Sequence, residues 1–286
     1  MIKTVTGKMI ELRFVDLGSN PEHGAAIQLL KLVSSLVYCI NNNITLLMVG
    51  SFRLKIFSDY FCNFEKIFYI SVMNEYLRDK YNVGLIDITN SKYKGKQKKF
   101  ELYVLNFSLN DSIKLVNTKI GKDILNHIVF TPDIVSVPMK FLTNIIGDQV
   151  YEKVNIIHLR LENDAIHHWS LANERSPSQF RKDLAEKYIQ LIEKFLPENE
   201  HLFVLGNDIS NPVIEYLQSK QYSYHHLKKI SKYSEVNSIM NLILGKMCNG
   251  IFIGARGTAF THVLQIYYDT DDRVTSYFVN MDNIDL

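Results

Sequence analysis

Ile156–Trp169 reads IIHLRLENDAIHHW and joins a short apolar run to a dense group of polar and ionisable side chains. The apolar beginning is typical of a strand that helices cover on both faces of a parallel sheet. The polar continuation falls where such a strand ends, and open α/β sheets bind their ligands beyond the carboxyl ends of their strands. This stretch therefore predicts an α/β protein with a binding site directly after the strand Val154–Leu161.

Arg160 is the one cation of this stretch that is charged at every physiological pH. Strand side chains alternate between the two faces, so we expect His158, Arg160 and Glu162 to share one face. The planar donors of a guanidinium suit a phosphate or carboxylate ligand. The alternative is an internal ion pair of Arg160 with Glu162 or Asp164 that holds a turn, because buried arginines are rarely unpaired.

Ile251–Thr261 reads IFIGARGTAFT and predicts a strand, a tight glycine turn and the beginning of a helix. Glycine at position 257 permits a positive φ and a close approach of a ligand to the backbone. The helix N-terminus offers N–H donors to an anion, with the Thr258 and Thr261 hydroxyls nearby. The stretch fits neither GxxxxGK(S/T) nor GxGxxG, so an ordinary strand-to-helix turn is the alternative. Together the two stretches predict a diphosphate pocket on neighbouring strands.

Length and composition restrict the class of protein. The 286 residues are 47% hydrophobic and carry a net charge of only +2, which fits two globular domains and gives no overall field for binding nucleic acid. Three cysteines without CxxC spacing indicate reduced thiols. The sequence lacks an apolar run of the ~18 residues that a membrane span needs and the apolar core of a secretion signal. We therefore expect a soluble, cytoplasmic protein.

Short apolar runs alternate with longer amphipathic ones, which favours α/β units with largely parallel sheets. The strands expected in the first half are Ile10–Asp16, Thr45–Val49, Lys66–Ser71, Val83–Ile88 and Glu101–Phe107. Those expected in the second half are Val154–Leu161, Leu202–Leu205, Ile251–Ile253 and Tyr277–Val279. The helices expected by periodicity are Gly24–Ile40, Glu235–Met247 and Thr258–Tyr267.

Two local signals complete the predicted organisation. Ser176, Pro177 and Gln179 have the order of an N-cap, a first helical residue and a capping-box partner, so a helix should begin there. The proline-bearing segment Thr131–Val150 precedes the strongest strand and is typical of a boundary. The sequence therefore predicts an N-terminal domain over residues 1–148 and a C-terminal domain over residues 149–286.

The two motifs together resemble a known family. HLRLENDAIHHW is similar to the HxR motif of the protein O-fucosyltransferases and their plant and viral relatives, and FIGARGTAFTHV is similar to their C-terminal motif. A further strand and loop, FVLGND, lies between them, as in that family. The resemblance covers Val154 to Tyr268.

The resemblance implies a GT-B glycosyltransferase, in which two Rossmann-like domains face each other across a cleft and the second binds the nucleotide sugar. It implies that Arg160 holds the β-phosphate and that Asp208 lies near the base or ribose. The other expected donor-binding residues are His158, Arg256, Gly257, Thr258, Ala259, Phe260 and Thr261. The family often has serine where Ala259 stands. No metal is expected, because cationic side chains and helix dipoles take the charge of the leaving group.

A general base is expected on the first strand-to-helix turn, Asp16–Gly24, where relatives carry a glycine-rich loop. Inverting transfer needs a group that accepts the acceptor hydroxyl proton. Glu22 and His23 are the candidates, with Asp16 behind them. The alternative for Glu22 is an acidic residue that the helix dipole favours in a first turn.

His167, His168 and Trp169 are interpreted as residues that face the sugar or the acceptor, together with Glu162 and Asp164. An indole offers a flat apolar surface to a pyranose. The alternative is a metal site built from the histidines and the two carboxylates. Adjacent histidines diverge on both helices and strands, and the HExxH pattern is absent, so the sequence favours the sugar site.

Two classes of function follow. The first is an inverting transferase that moves fucose or xylose from a GDP or UDP donor to a hydroxyl of a glycan or protein. The second is a non-catalytic module that binds nucleotide sugars or glycans on the same scaffold. The Asn- and Lys-rich composition, without a secretion signal, would fit a viral or microbial enzyme that builds glycans in the cytoplasm, and we state this as an expectation.

Overall fold

The structure is a computed structural model. It describes residues 2–3, 9–10, 12–20, 22–55, 58–89, 103–147, 153–206, 210–269 and 271–282. The chain forms two compact units: unit 1 comprises Met1–Ser136 and Ile230–Ile239, and unit 2 comprises Val137–Lys229 and Met240–Leu286. The sequence predicted one boundary, between residues 148 and 149, and it did not foresee that a late segment packs with the first unit.

Unit 1 contains a four-stranded parallel sheet in the order β7-β4-β3-β8. Its strands are β3 (Leu12–Val15), β4 (Leu46–Val49), β7 (Gly84–Asp87) and β8 (Tyr103–Val104). In order of sequence this is 3-2-1-4, the order of a Rossmann half. Two small antiparallel pairs accompany it, β1 (Ile2–Lys3) with β2 (Met9–Ile10), and β5 (Phe52–Arg53) with β6 (Phe61–Cys62).

The first helix of unit 1, α1 (Ala25–Asn41), confirms the periodicity over Gly24–Ile40. Thirteen of its seventeen residues are buried, among them Lys31, so it is covered almost all round. The other helices are α2 (Ile70–Tyr81), α3 (Leu109–Val116) and α4 (Lys119–Asn126), with a 3₁₀ turn at Phe64–Lys66. Helix α5 (Pro132–Ile146) begins in unit 1, and its residues from Val137 onward belong to unit 2.

The strand predicted over Lys66–Ser71 is wrong. The chain there leaves a 3₁₀ turn, and α2 begins at Ile70. Phe64 and Phe68 stack with ring centroids 4.3 Å apart, and both are fully buried. Their spacing of four residues is helical, so the apolar content of the segment reflects helical turns rather than a strand.

Unit 2 contains a five-stranded parallel sheet in the order β11-β10-β9-β12-β13. Its strands are β9 (Asn155–His158), β10 (Leu202–Leu205), β11 (Tyr224–His226), β12 (Ile251–Arg256) and β13 (Thr275–Asn280). Its helices are α6 (Asn163–Ala172), α7 (Pro177–Phe195), α8 (Pro212–Ser219), α9 (Ser234–Gly245), whose first six residues count with unit 1, and α10 (Ala259–Tyr268). The strand order is 3-2-1-4-5, again that of a Rossmann domain.

Helix α7 begins where the sequence predicted. The Ser176 side chain accepts a hydrogen bond from the Gln179 N–H, and Pro177 occupies the first turn. The Gln179 side chain donates to Asp183 instead of completing the capping box. Phe180, Leu184 and Tyr188 recur at four-residue spacing along α7 and lie in the core. In the described part of the chain, no helix has the length and apolarity of a membrane span.

Candidate functional site

The two motifs of the sequence meet at the centre of the unit 2 sheet. β9 and β12 are adjacent parallel strands, with Ile156 opposite Phe252 and Ile157 opposite Ile253. They are strands 1 and 4 of the Rossmann order, between which the direction of connection reverses. Ligands of open α/β sheets bind outside the carboxyl ends of the strands at such a point. The loop with Arg160 and the turn at Gly257 leave the sheet at that position.

The turn after β12 has the geometry of an anion site. Gly257 has a φ of +95°, which an L side chain rarely adopts. The Thr258 hydroxyl caps α10 by accepting from the Thr261 N–H at 3.3 Å, and it donates to the Ala255 carbonyl at 3.0 Å. The N–H groups of Ala259 and Phe260 stand in the first turn, where helix donors lack intrahelical partners. They are the donors that an anion would meet here.

His158 joins the two motifs from the inside. It is buried, its Nδ1 lies 2.8 Å from the Thr261 hydroxyl oxygen, and its ring stacks on Phe260 at 4.4 Å. Burial, reinforced by the Arg160 charge, lowers the pKa of His158 to about 3. The Tyr188 hydroxyl donates to the His158 carbonyl at 2.8 Å. His158 is therefore neutral at pH 7 and connects β9 to the first turn of α10.

Arg160 lies beyond the end of β9, and two carboxylates surround its guanidinium. Nη1 is 3.1 Å from Glu162 Oε2, and Nη2 is 3.1 Å from Asp164 Oδ2. The internal ion pair considered as the alternative from sequence is thus present. The Arg160 side chain is 30% exposed and that of Asp164 is 63% exposed, so water reaches the second contact.

The expectation that His158, Arg160 and Glu162 share one strand face is wrong. β9 ends at His158, and Glu162 is the N-cap position of α6. Strand alternation therefore stops before Arg160. His158 is buried and Arg160 is half-buried. The imidazole therefore lies in the core, and the guanidinium lies just beyond the carboxyl end of β9.

Helix α6 brings Trp169 to the glycine turn. A Cβ atom placed on Gly257 would lie 3.3 Å from the Trp169 ring, so the indole packs directly on this backbone. The Asn173 side chain holds the end of α6 by donating to the carbonyls of Trp169 and Met281. His168 meets Trp169 edge to face at 5.0 Å, and His167 is exposed.

The other residues that were predicted to bind the nucleotide-sugar donor lie in different surroundings. Arg256, at the end of β12, is exposed, and its guanidinium lies 5.1 Å from the Phe278 ring centre. Asp208 lies outside the described residues. Within the described part of the chain, no three His, Cys, Asp or Glu side chains come together as a metal-ligand group. Glu162 and Asp164, which the metal alternative needs, are engaged with Arg160.

The lowered pKa of His158 predicts a measurable dependence of the free energy of unfolding on pH. Its folded pKa lies below its unfolded pKa of about 6.5, so the free energy of unfolding should fall as pH drops from about 6.5 toward 3. One such proton contributes a slope of about 1.4 kcal/mol per pH unit. We expect the free energy of unfolding, measured by urea denaturation, to fall less steeply between pH 7 and pH 4 in His158→Asn than in the parent. Equal slopes would contradict a neutral, buried His158. His23 titrates in both proteins and therefore cancels in the comparison.

Unit 1 has a second cluster of ionisable groups, on the turn between β3 and α1. Asp16 Oδ1 and His23 Nδ1 are buried and have no hydrogen-bond partner among the described residues. Burial raises the pKa of Asp16 and lowers the pKa of His23 to about 4. Glu22 is exposed, and its N–H donates to Asn20. Asp16 and His23 are therefore the half-buried members of the cluster, each with one buried polar atom.

The turn is held from several directions. The Arg53 guanidinium donates to the Gly18 carbonyl, and the Gln28 amide donates to the carbonyls of His23 and Arg53. The Ala25 N–H donates to the Glu235 carboxylate, which is only 2% exposed. Glu235 therefore occupies the N-terminus of α1, and that helix end is not open to a ligand anion.

Sequence reasoning missed Lys31. It is 5% exposed, and burial lowers its pKa, which the Asp16 charge opposes. A cation inside the apolar run Leu29–Val33 was a visible signal, because a helix buried on all sides rarely carries an uncompensated lysine. Lys31 adds a positive charge beside Asp16 and His23.

The fold and these sites define the class of structure. Two α/β units, each with a parallel sheet of Rossmann order, have the GT-B fold of the glycosyltransferases. No protein-family model matches the chain. No curated protein matches it in sequence.

Fucosyltransferases are among the solved structures that are similar to this chain. POFUT1 in complex with GDP is 12% identical, with 94% of this chain and 98% of that chain covered and a TM-score of 0.59. The α-1,6-fucosyltransferase NodZ from Bradyrhizobium, co-crystallised with GDP, is 14% identical, with coverage of 89% and 92% and a TM-score of 0.56. A mutant of Arabidopsis thaliana FUT1 in complex with GDP is 12% identical, with coverage of 94% and 70% and a TM-score of 0.50. At these identities the similarity shows the fold.

Proposed function

We propose that this protein is an inverting, metal-independent glycosyltransferase that moves a sugar from a nucleotide-diphosphate donor to a hydroxyl of a glycan or protein. The observation that carries the proposal is the juxtaposition at the switch point of the unit 2 sheet. A capped helix N-terminus with a positive-φ glycine leaves β12, and a guanidinium follows the neighbouring strand β9. Helix termini and arginines are the groups that bind diphosphates.

GDP-fucose is the donor that the proposal favours. POFUT1 and NodZ have been solved with GDP or GDP-fucose, and they share the fold of this chain. The first-turn donors of α10, with the Thr258 hydroxyl, would hold the diphosphate, and Arg160 would neutralise the charge that grows on the leaving oxygen. Trp169, packed on Gly257, would border the same ligand.

In the reaction, the acceptor hydroxyl oxygen forms a bond to the anomeric carbon while the bond from that carbon to the β-phosphate oxygen breaks. GDP leaves with the bonding electron pair. The hydroxyl proton goes to a base, for which we propose Asp16 before His23 and Glu22. A carboxylate with a raised pKa and a partner-free oxygen is suited to this role, and Asp16 has both features.

The proposal is tested by nucleotide binding, and the chain provides its own probe. Trp169 is the only tryptophan and touches Gly257, so GDP bound at the turn should change its emission. At 100 times its dissociation constant, GDP should also stabilise the native state by about 2.7 kcal/mol. We expect both effects with GDP and weaker ones with UDP.

A Gly257→Val variant provides the control, because its side chain would strain the turn and push against Trp169. The variant should lose the GDP response while keeping the urea transition of a folded protein. If neither GDP nor UDP alters the emission or the melting temperature of the parent, the donor site does not exist as described. If GDP binds but GDP-fucose is never consumed with any acceptor, the protein is the non-catalytic module.

A further inference from the structure

Lys31 is a lysine buried within α1, the helix that follows the turn of the proposed base. We propose that Lys31 is a positioning residue of the transfer reaction: its ammonium is the counter-charge of Asp16 and holds that carboxyl group in the ionised form that accepts the proton of the acceptor hydroxyl. The inference rests on the proposed function, which it deepens by naming what keeps the base ready at neutral pH.

Lys31 is buried to an extent that is unusual for a lysine. It is only 5% exposed, and lysines are rarely buried this deeply unless they are paired, because the ammonium loses its solvation by water. In side-chain hydrogen bonds among the described residues, Lys31 takes part only through its carbonyl, which accepts from the Ser34 hydroxyl at 3.0 Å. A compensating negative charge therefore has to act on the ammonium without a direct hydrogen bond.

The position of Lys31 on α1 directs its side chain toward the turn. Gln28 and Lys31 are three residues apart, so they lie on the same side of the helix. The Gln28 amide donates to the carbonyls of His23 and Arg53, which shows that this side of α1 meets the turn. Long side chains on a helix lean back toward its N-terminus, and the N-terminus of α1 is the end next to the turn. The Lys31 stem therefore runs toward Asp16 and His23.

The charges around Asp16 come from separate elements of unit 1. Burial raises the pKa of Asp16, and a backbone N–H of the turn, Lys31 on α1 and Arg53 on β5 oppose this by favouring the carboxylate. His23 is neutral at pH 7, because burial and then the charge of Lys31 lower its pKa to about 4. The Glu235 carboxylate, from α9, accepts the first N–H of α1. The cations that act on Asp16 at pH 7 are therefore Lys31 and Arg53.

Lys31 differs from Arg53 in the partners of its charged group. The Arg53 guanidinium donates to the carbonyls of Gly18 and Ser58, whereas Asp16 is the carboxylate whose charge favours the ammonium of Lys31 against burial. Two charges in a partly buried site interact over several ångströms without touching. Asp16 Oδ1 is buried and has no hydrogen-bond partner among the described residues. The pair is thus held by charge, and one carboxylate oxygen stays available to the acceptor hydroxyl.

The first test is the pH dependence of kcat for Lys31→Met, measured as GDP release from GDP-fucose. Without the ammonium, Asp16 should bind its proton at higher pH, so the acidic limb of the profile should move up by about one pH unit, a tenfold change in the ionisation constant. The plateau above the limb should remain close to that of the parent. Lys31→Gln, which also removes the charge, should show the same shift. Lys119→Met, at an exposed position of α4, is the control and should show none.

The second test needs no activity and therefore separates this inference from the proposed function. Urea denaturation at pH 7 compares the parent, Lys31→Met, Asp16→Asn and the double variant. Asp16→Asn should stabilise the protein more in the Lys31→Met background than in the parent, because the lysine no longer compensates the carboxylate that the amide replaces. The two changes should depart from additivity by about tenfold in the unfolding equilibrium constant, since a double-mutant cycle isolates the coupling of the pair.

The two tests together decide the role of Lys31. A limb that moves up in both neutral variants, with a non-additive cycle, supports it. An additive cycle overturns it and leaves the proposed function untouched. A lower plateau with an unmoved limb, or a limb that moves in only one neutral variant, also overturns it, because packing and not charge would then be responsible. If the parent consumes no GDP-fucose while the cycle is non-additive, the proposed function fails, and with it the role in transfer, but the pairing of Lys31 with Asp16 stands.

Discussion

Replacing Arg160 by alanine should lower the turnover of GDP-fucose about a hundred- to a thousandfold, because the guanidinium would act on charge that grows in the transition state. Its present partners, Glu162 and Asp164, are both carboxylates. A diphosphate would compete with the exposed Asp164 contact. The Asp164 contact is exposed and contributes about 1 kcal/mol or less, whereas Glu162 is 13% exposed and the loss of its partner should cost about 1–3 kcal/mol. The urea transition of the variant, measured beside its turnover, distinguishes a loss of catalysis from a loss of folding.

The matched control is Arg273→Ala. Arg273 also forms an exposed ion pair in unit 2, with Asp271 at 2.6 Å, and it has no part in the proposed site. Turnover by this variant should equal that of the parent in an assay of GDP release. Arg160→Lys should remain strongly impaired, because an ammonium cannot reproduce the two-pronged contact. If Arg160→Ala keeps parental turnover and only its affinity for GDP changes, Arg160 is a binding residue and not a catalytic one.

Replacing Asp16 by asparagine is expected to lower kcat about a hundred- to ten-thousandfold, the usual contribution of a general base. The amide has nearly the same shape as the carboxylate but cannot accept the hydroxyl proton. The KM for the donor should be unchanged, because the donor is proposed to bind to unit 2. Asp133→Asn, at an exposed position of the same unit, is the control and should have parental kcat.

The Asp16→Asn change is expected to have opposite effects on activity and on stability. Burial raises its pKa, so the folded state holds the proton more tightly than the unfolded state. The native state therefore loses stability as pH rises from the unfolded pKa through the folded pKa. At pH 7, Asp16→Asn should be at least as stable as the parent in urea while being far less active. The acidic limb of the kcat profile should disappear in the variant, and a profile that keeps this limb would assign the base to another residue.

The sequence located most elements of unit 2, where local signals were strong, but it predicted neither α6 nor α8. The N-cap at Ser176 and the apolar strand Leu202–Leu205 are set by neighbouring residues, and the structure has both as predicted. In unit 1 the apolar run Lys66–Ser71 was taken for a strand, because short apolar runs are ambiguous between strand and helix. In the structure, Phe64 stacks on Phe68, which favours helical turns in this segment. The hydrophobic pattern of the sequence does not reveal this packing.

The sequence by itself determined that this is an α/β protein with an arginine loop and a glycine turn after two of its strands. Those features follow from hydrophobic periodicity and from the backbone freedom of glycine, which are properties of neighbouring residues. The tertiary structure confirmed that the two strands are adjacent, as the sequence predicted. The tertiary structure alone decided that Trp169 covers Gly257 and that, of the two alternatives for Arg160, the ion pair with carboxylates is present. It also decided that Glu235, more than two hundred residues after Ala25, occupies the end of α1. Such contacts depend on how distant segments pack, because packing joins residues that have no relation in the order of the chain.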